Sequence, residues 1–285
     1  MTTDGALTLG AIALPQNPPE TLRRIARTAD EAGLDELWLW EDCFLTGGVA
    51  AASAALAWTT RLRVGLGIMP VPLRNVALCA MEIATLSRMF GRRAMPGIGH
   101  GVQDWMAQVG VKAGSPLALL REYASSLRSL LHGETVTIDG RYVHLDAVTL
   151  DHPPAPAPDL LVAATGPKTL TLAGEVGDGT VLSGGTSPAD VAEACKLINP
   201  SAGHDVIVFV PAATGPTAAA RLRSAAEHWG QSYDGLAGDP ADIAEGVREF
   251  AAAGATRVIL NPLPDEPDPA RYVQFVADRI RPLVD

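Results

Sequence analysis

The chain has 285 residues, 47% hydrophobic and 19% charged, enough apolar material for a large core and too much for a disordered or collagen-like protein. Its formal charge of -10 repels a polyanionic backbone, and no Lys/Arg cluster with interleaved aromatics offsets it, so nucleic acid is not an expected partner. No apolar run approaches a membrane span, residues 1–5 lack the pattern of a secretory leader, and Cys43, Cys79 and Cys195 stand in no metal-ligand spacing. The expectation is a soluble cytoplasmic protein with reduced thiols, no metal and no membrane contact.

From the N-terminus, short apolar runs alternate with amphipathic stretches. Residues 7–14 read as a strand and 19–32 as a helix; 36–40 and 48–58 repeat the pair. Strand 62–68 with helix 76–89, and strand 93–99 with helix 117–131, continue it. The rhythm breaks at residues 135–145, where Asp139-Gly140 between alternating segments signals a hairpin, and the proline-rich 153–158 reads as a stiff connector. It resumes with strand 160–164 and helix 168–174, strand 180–182 and helix 188–198, and strand 204–211 and helix 217–229. A further helix, 240–253, precedes strand 257–260 and helix 270–283. Eight strands, each followed by a helix, predict an α/β fold, a (β/α)8 TIM barrel with a small β-hairpin insertion, in one domain over residues 1–285.

In such a barrel the working face is built from the loops after the strands. After residues 160–164, Thr165 is placed to cap the next helix, Gly166 to let backbone approach a ligand, and Pro167 to open the helix. That turn is suited to a phosphate, with Lys168 and Arg74 as the expected cations. Gly65 and Gly67 end the third strand either to press backbone against a flat ligand or to turn a barrel corner. The segment 97–102 ends in His100, Gly101 and Val102, where His100 serves a cofactor or a proton, or simply bonds nearby backbone.

Alternation over residues 38–44 sends Trp38, Trp40 and Asp42 to one face and Leu39, Glu41 and Cys43 to the other. Glu41 and Asp42 are candidate acids or cofactor contacts; the alternative is capping a helix or pairing with an arginine. Cys43 reads as a small filler, and Met81, Leu86 and Met89 read as core packing. There is no Walker-type loop, no zinc spacing and no dinucleotide fingerprint, and no evident Lys/Glu pair for a sugar-phosphate isomerase or lyase.

Taken in order, residues 26–33, 37–42, 65–68, 80–86, 97–101 and 165–179 resemble the luciferase-like monooxygenase superfamily. Within it they resemble the branch using the deazaflavin coenzyme F420, which includes methylenetetrahydromethanopterin reductase. The resemblance implies hydride transfer between F420 and a small organic substrate; a homodimer is the expectation from the general frequency of such assemblies. It implies a non-prolyl cis peptide at Gly67-Ile68 behind the ring, His100, Gly101 and Val102 lining the cofactor, Ala164, Thr165, Gly166, Pro167 and Lys168 holding its phosphate, and Asp42 facing ring or substrate. Cys43 stands where some relatives carry histidine, so proton donation falls to Glu41, Asp42, His100 or a water. An FMN-dependent monooxygenase and a flavin-binding barrel without turnover remain the alternatives.

Overall fold

Eight parallel strands close into a ring in the computed structural model, which describes residues 7–284. Residues 1–5, on which the expectation about a leader rests, lie outside the described residues. The strands in chain order are β1 (Thr8–Ala13), β2 (Glu36–Leu39), β3 (Arg63–Pro70), β4 (Ala94–Gly99), β5 (Val136–Asp139) and β6 (His144–Val148). They continue with β7 (Leu161–Ala163), β8 (Gly179–Leu182), β9 (Asp205–Ala213), β10 (Leu236–Ala237) and β11 (Arg257–Asn261). β5 and β6 form a separate antiparallel hairpin, and β10 only edges β9. The other eight pair in order, with β8 bonded to β9, β9 to β11 and β11 back to β1. The fold is therefore a (β/α)8 TIM barrel with a hairpin, as the alternating pattern predicts.

Around it pack α1 (Leu22–Glu31), α2 (Gly48–Trp58), α3 (Val76–Phe90), α4 (Gln103–Gln108), α5 (Pro116–Leu131) and α6 (Pro167–Val176). They are followed by α7 (Pro188–Ile198), α8 (Ala218–Trp229), α9 (Pro240–Ala252) and α10 (Pro269–Phe275). None of the described helices is long and apolar enough to cross a membrane. The bounds of α7 match the expected ones because both ends are encoded locally: Ser187 and Asp190 form a capping box, and Asn199 takes the left-handed conformation (φ 47°) at the far end. The expected last helix, 270–283, instead passes from α10 into a π turn at Val276–Ile280 and a 3-10 turn holding Pro282, which has no N–H to donate.

One expectation fails on α3. Leu86 is buried, but Met81 and Met89 are 57% and 65% exposed. At 3.6 residues per turn Met81 and Leu86 lie about 140° apart, so they cannot share a face. Cys79, Ala80, Ile83 and Ala84 supply the buried side instead.

The hairpin is held to α5 through its tip, where the Glu122 carboxylate accepts the N–H groups of Tyr142 at 2.8 Å and Val143 at 3.1 Å. A Cβ on Gly140 would sit 2.5 Å from that carboxylate, so the expected glycine is needed for close approach.

Inward-facing side chains fill the barrel, among them Ile12, Trp38, Leu161, Ile207, Phe209 and Ile259. At its base Arg257 donates to Glu36 at 2.6 Å and also pairs with Asp205. Arg63 reaches the same Glu36 at 3.0 Å, and the second oxygen of Glu36 accepts the Trp38 indole N–H at 2.9 Å. Two glycines of β3 make room for these rings: a Cβ on Gly65 would lie 2.4 Å from the Trp38 indole, and one on Gly67 2.6 Å from Phe209. Gly65 thus accommodates the protein's own indole. The Gly65→Ala variant should overpack the interior and lose about 1 to 3 kcal/mol of stability, read from the urea midpoint; an unchanged midpoint would show that Trp38 has room to move.

Candidate functional site

The C-terminal ends of β2, β3, β4, β7, β8 and β9 frame a cleft of about 370 Å³. Phe209 of β9 lines it, packed edge-on against Trp38 at 5.4 Å between ring centroids and tilted against Trp40 at 5.9 Å. The Trp40 indole nitrogen is buried with no hydrogen-bond partner among the described residues. Trp105 of α4 adds a third aromatic wall.

The loop after β2 contributes both expected carboxylates, in different states. Glu41 accepts from Arg74 with both oxygens, one of them at 2.9 Å, and also accepts the Gly48 N–H at 2.8 Å, so it caps α2. Arg74 turns its remaining face to Glu82 at 3.0 Å. Glu41 therefore makes both the cap and the arginine pair that its sequence context allowed, and Arg74 is not free to meet a phosphate. The Asp42 carboxylate lines the cleft with no hydrogen bond to its side chain among the described residues, and burial pushes its pKa up. Burial, and then the charges of Glu41 and Asp42, push the Cys43 thiol up as well, which suits a filler rather than a nucleophile.

Gly67, Ile68 and Pro70 of β3 form the adjoining wall, and the Gly67-Ile68 peptide is cis, as is Cys43-Phe44. From the end of β4 come His100, Gly101 and Val102. Gly101 holds φ 67°, and a Cβ there would meet Pro70 at 2.8 Å, so two loops can touch only through a glycine. His100 Nε2 lies 3.1 Å from the Thr169 hydroxyl of α6, and burial holds its pKa below the ordinary value against an opposing bond to Pro116 backbone.

Ala164 and Thr165 also line the cleft, whereas Gly166, Pro167 and Lys168 lie beyond its wall at the start of α6. Thr165 does not cap that helix: Gly166 occupies the N-cap, no side chain caps it, and Pro167 takes the first turn. The Ala164 N–H is bonded to Val181 at 3.1 Å. The N–H groups of Gly166 and Lys168 have no intrahelical acceptor, and Lys168 is exposed with no carboxylate partner among the described residues. Trp105 and Ser183 come from the segments after β4 and β8, where the working face is expected, and Ala163, Val181, Gly184 and Phe209 also line the wall; Phe209 was not singled out from sequence, and inward alternation along residues 205–211 is the signal that would have found it.

A second hollow, about 380 Å³, opens at the opposite end beneath Arg63, Arg88, Arg92 and Arg257. Its arginines are engaged by Glu36, Asp205, the Pro153 carbonyl and, at 4.0 Å, Asp159.

The chain matches the luciferase-like monooxygenase family over residues 3–235 and belongs to it. It is 32% identical to a 5,10-methylenetetrahydromethanopterin reductase of Methanolobus tindarius over 67% of this chain and 58% of that protein. It is 35% identical to an F420-dependent glucose-6-phosphate dehydrogenase of Kineococcus radiotolerans over 60% and 54%, so it spans little more than half of each. An Archaeoglobus fulgidus 5,10-methylenetetrahydromethanopterin reductase aligns at 26% identity over 92% of this chain and 95% of its own length. Two solved structures share the fold along almost the whole of both chains. The F420-dependent tetrahydromethanopterin reductase of Methanopyrus kandleri superposes with a TM-score of 0.84 at 19% identity, covering 99% of this chain and 100% of its own. An F420-dependent secondary alcohol dehydrogenase gives 0.85 at 20%, covering 98% and 99%.

Asp42 is more easily protonated in the folded chain than in the unfolded one. Its ionisation therefore costs stability at pH values above its folded pKa, and the cost vanishes below the ordinary value of 3.8. Asp42→Asn should raise the melting temperature at pH 7 and bring no gain near pH 3.5; a loss of stability at pH 7 would mean the carboxylate has a favourable partner.

Proposed function

We propose that the chain is a single-domain oxidoreductase that transfers a hydride between coenzyme F420 and a small organic substrate in the cleft above Phe209. The observation that carries the reading is the pairing of an aromatic, largely apolar cleft with an uncapped helix start beside it. The residues present fit the cofactor: Trp40, Phe209 and the Gly67-Ile68 wall suit a flat ring, and a Cβ on Gly166 would meet nothing within 4 Å, so the α6 N-terminus is open to a ligand. The freed N–H groups of Gly166 and Lys168, the positive end of the α6 dipole and the Lys168 ammonium would hold the phosphate. Gly101 and Val102 would flank the ring.

When bound, F420 supplies or accepts a hydride at its C5 carbon. The protein's part is orientation, exclusion of water and the accompanying proton. Reduction of a carbonyl places hydride on carbon and a proton on oxygen. We assign that proton to Asp42 and His100, because Glu41 is fully bonded to Arg74 and Gly48. Burial raises the Asp42 pKa toward the range where acid/base catalysis works best, and it holds His100 toward its neutral form, in which one ring N–H can still donate. The Thr169 hydroxyl orients the imidazole.

A cytoplasmic setting is in keeping with three free thiols. The homodimer draws support from the exposed face of α3, where Leu78, Met81 and Met89 lie uncovered, and light scattering at twice 29.7 kDa tests it.

Two measurements test the proposal together. Under strict anaerobiosis, turnover should continue, with deuterium from C5-labelled F420 appearing on a substrate carbon; oxygen uptake stoichiometric with product, supported by FMN alone, would replace this reading with a monooxygenase. Gly166→Val should weaken F420 binding at least tenfold, about 1.4 kcal/mol, with stability changing less than binding, because a Cβ at this position meets no protein atom within 4 Å. Unchanged affinity in the folded variant would move the phosphate elsewhere.

A further inference from the structure

The charge of the cleft narrows what can react in it. No Lys or Arg lines it among the described residues, while Asp42 and Glu41 do. Arg74 does not cancel the negative charge, because it answers two carboxylates, Glu41 at one side and Glu82 at the other. Beside that surplus stands Asp42 with no cationic partner among the described residues, and His100 is held toward its neutral form by burial. Apart from the neutral hydroxyls of Thr165 and Ser183, the remaining wall is largely hydrocarbon and aromatic: Trp40, Ile68, Val102, Trp105, Val181 and Phe209. Lys168, the cation of the neighbouring helix start, lies beyond the wall on the side assigned to the cofactor.

We infer that the substrate is a neutral, predominantly apolar ketone or aldehyde, or the corresponding alcohol in the reverse direction, and that compounds bearing a phosphate or carboxylate are rejected. This deepens the hydride-transfer reading and rests on it. An anion entering the cleft would lose its hydration, meet no guanidinium or ammonium group, and face Asp42. Stripping an unpaired ion of water costs several kcal/mol, far more than contacts with a few apolar side chains return. A neutral carbonyl leaves hydrocarbon against the aromatic walls and needs one proton-bearing partner for its oxygen, which Asp42 or His100 provides.

Ligand-observed NMR with a matched pair, cyclohexanone and 4-oxocyclohexanecarboxylate, reads the preference with and without F420. The neutral ketone should bind at least about tenfold more tightly in both states. Ser183→Lys, at an exposed position of the cleft wall, should raise affinity for the keto acid severalfold and close most of that gap. Equal or tighter binding of the keto acid by the native chain, or binding of neither ketone to the F420-loaded protein, overturns the inference. A separate fluorescence titration reports whether F420 binds at all. Failure there removes the hydride-transfer reading, whereas the charge preference is read on the free protein and falls only by the NMR result.

Discussion

A closed parallel barrel must fill its own interior, and in this chain one indole decides how far up the filling reaches. Trp38 sits fully buried inside the barrel with its N–H bonded to Glu36, whose other oxygen takes Arg257 and Arg63. The buried ions are thus paired with one another and tied to the aromatic layer above, which avoids the heavy cost of an unpartnered interior charge. Space for the indole exists only because β3 presents glycine at position 65, and Phe209 packs edge-on against it, next to Gly67. Below Phe209 the barrel is solid. Above it small residues such as Gly67 and Ala163 and the loop residues leave a hollow at the strand ends.

The same division separates residues that hold the scaffold from those that face a ligand. Glu41 and Asp42 are neighbours in sequence and opposite in circumstance. One is bonded through both oxygens to Arg74 and to the start of α2; the other stands in the cleft, half-buried and without a side-chain partner among the described residues. Catalytic groups need a perturbed environment and freedom to exchange a proton, and of the two carboxylates only Asp42 has both. His100 pairs with Thr169 on the helix whose N-terminus is open, so the proposed proton site and the proposed phosphate site are linked through one turn of α6.

Much of the scaffold was legible because its signals are local. Ser187 and Asp190 mark the start of α7, Asp139-Gly140 announces the hairpin, and the alternation of apolar runs with amphipathic stretches is the barrel itself. What stayed hidden depends on partners distant in sequence. Nothing near Glu41 reveals that Arg74, 33 residues on, will take its carboxylate. Gly65 promised a close approach without naming the approaching ring, which comes from β2. Met81 and Met89 looked like core because methionine is apolar, although helical geometry turns them outward. Thr165 carried the right side chain for a cap one position too early. Barrel strands are buried on both faces, so composition alone does not say which residues look inward, and Phe209 was missed for that reason.

The central claim is that this cleft and the adjoining helix start receive a deazaflavin. It is tested most directly by titrating the free protein in parallel with F420 and FMN while following tryptophan emission, to which Trp40 and Trp105 of the cleft wall contribute. The account predicts saturable quenching by F420 at concentrations at least about tenfold below those needed for FMN. Saturation by FMN at lower concentration than F420, or no saturable quenching by F420, would contradict it.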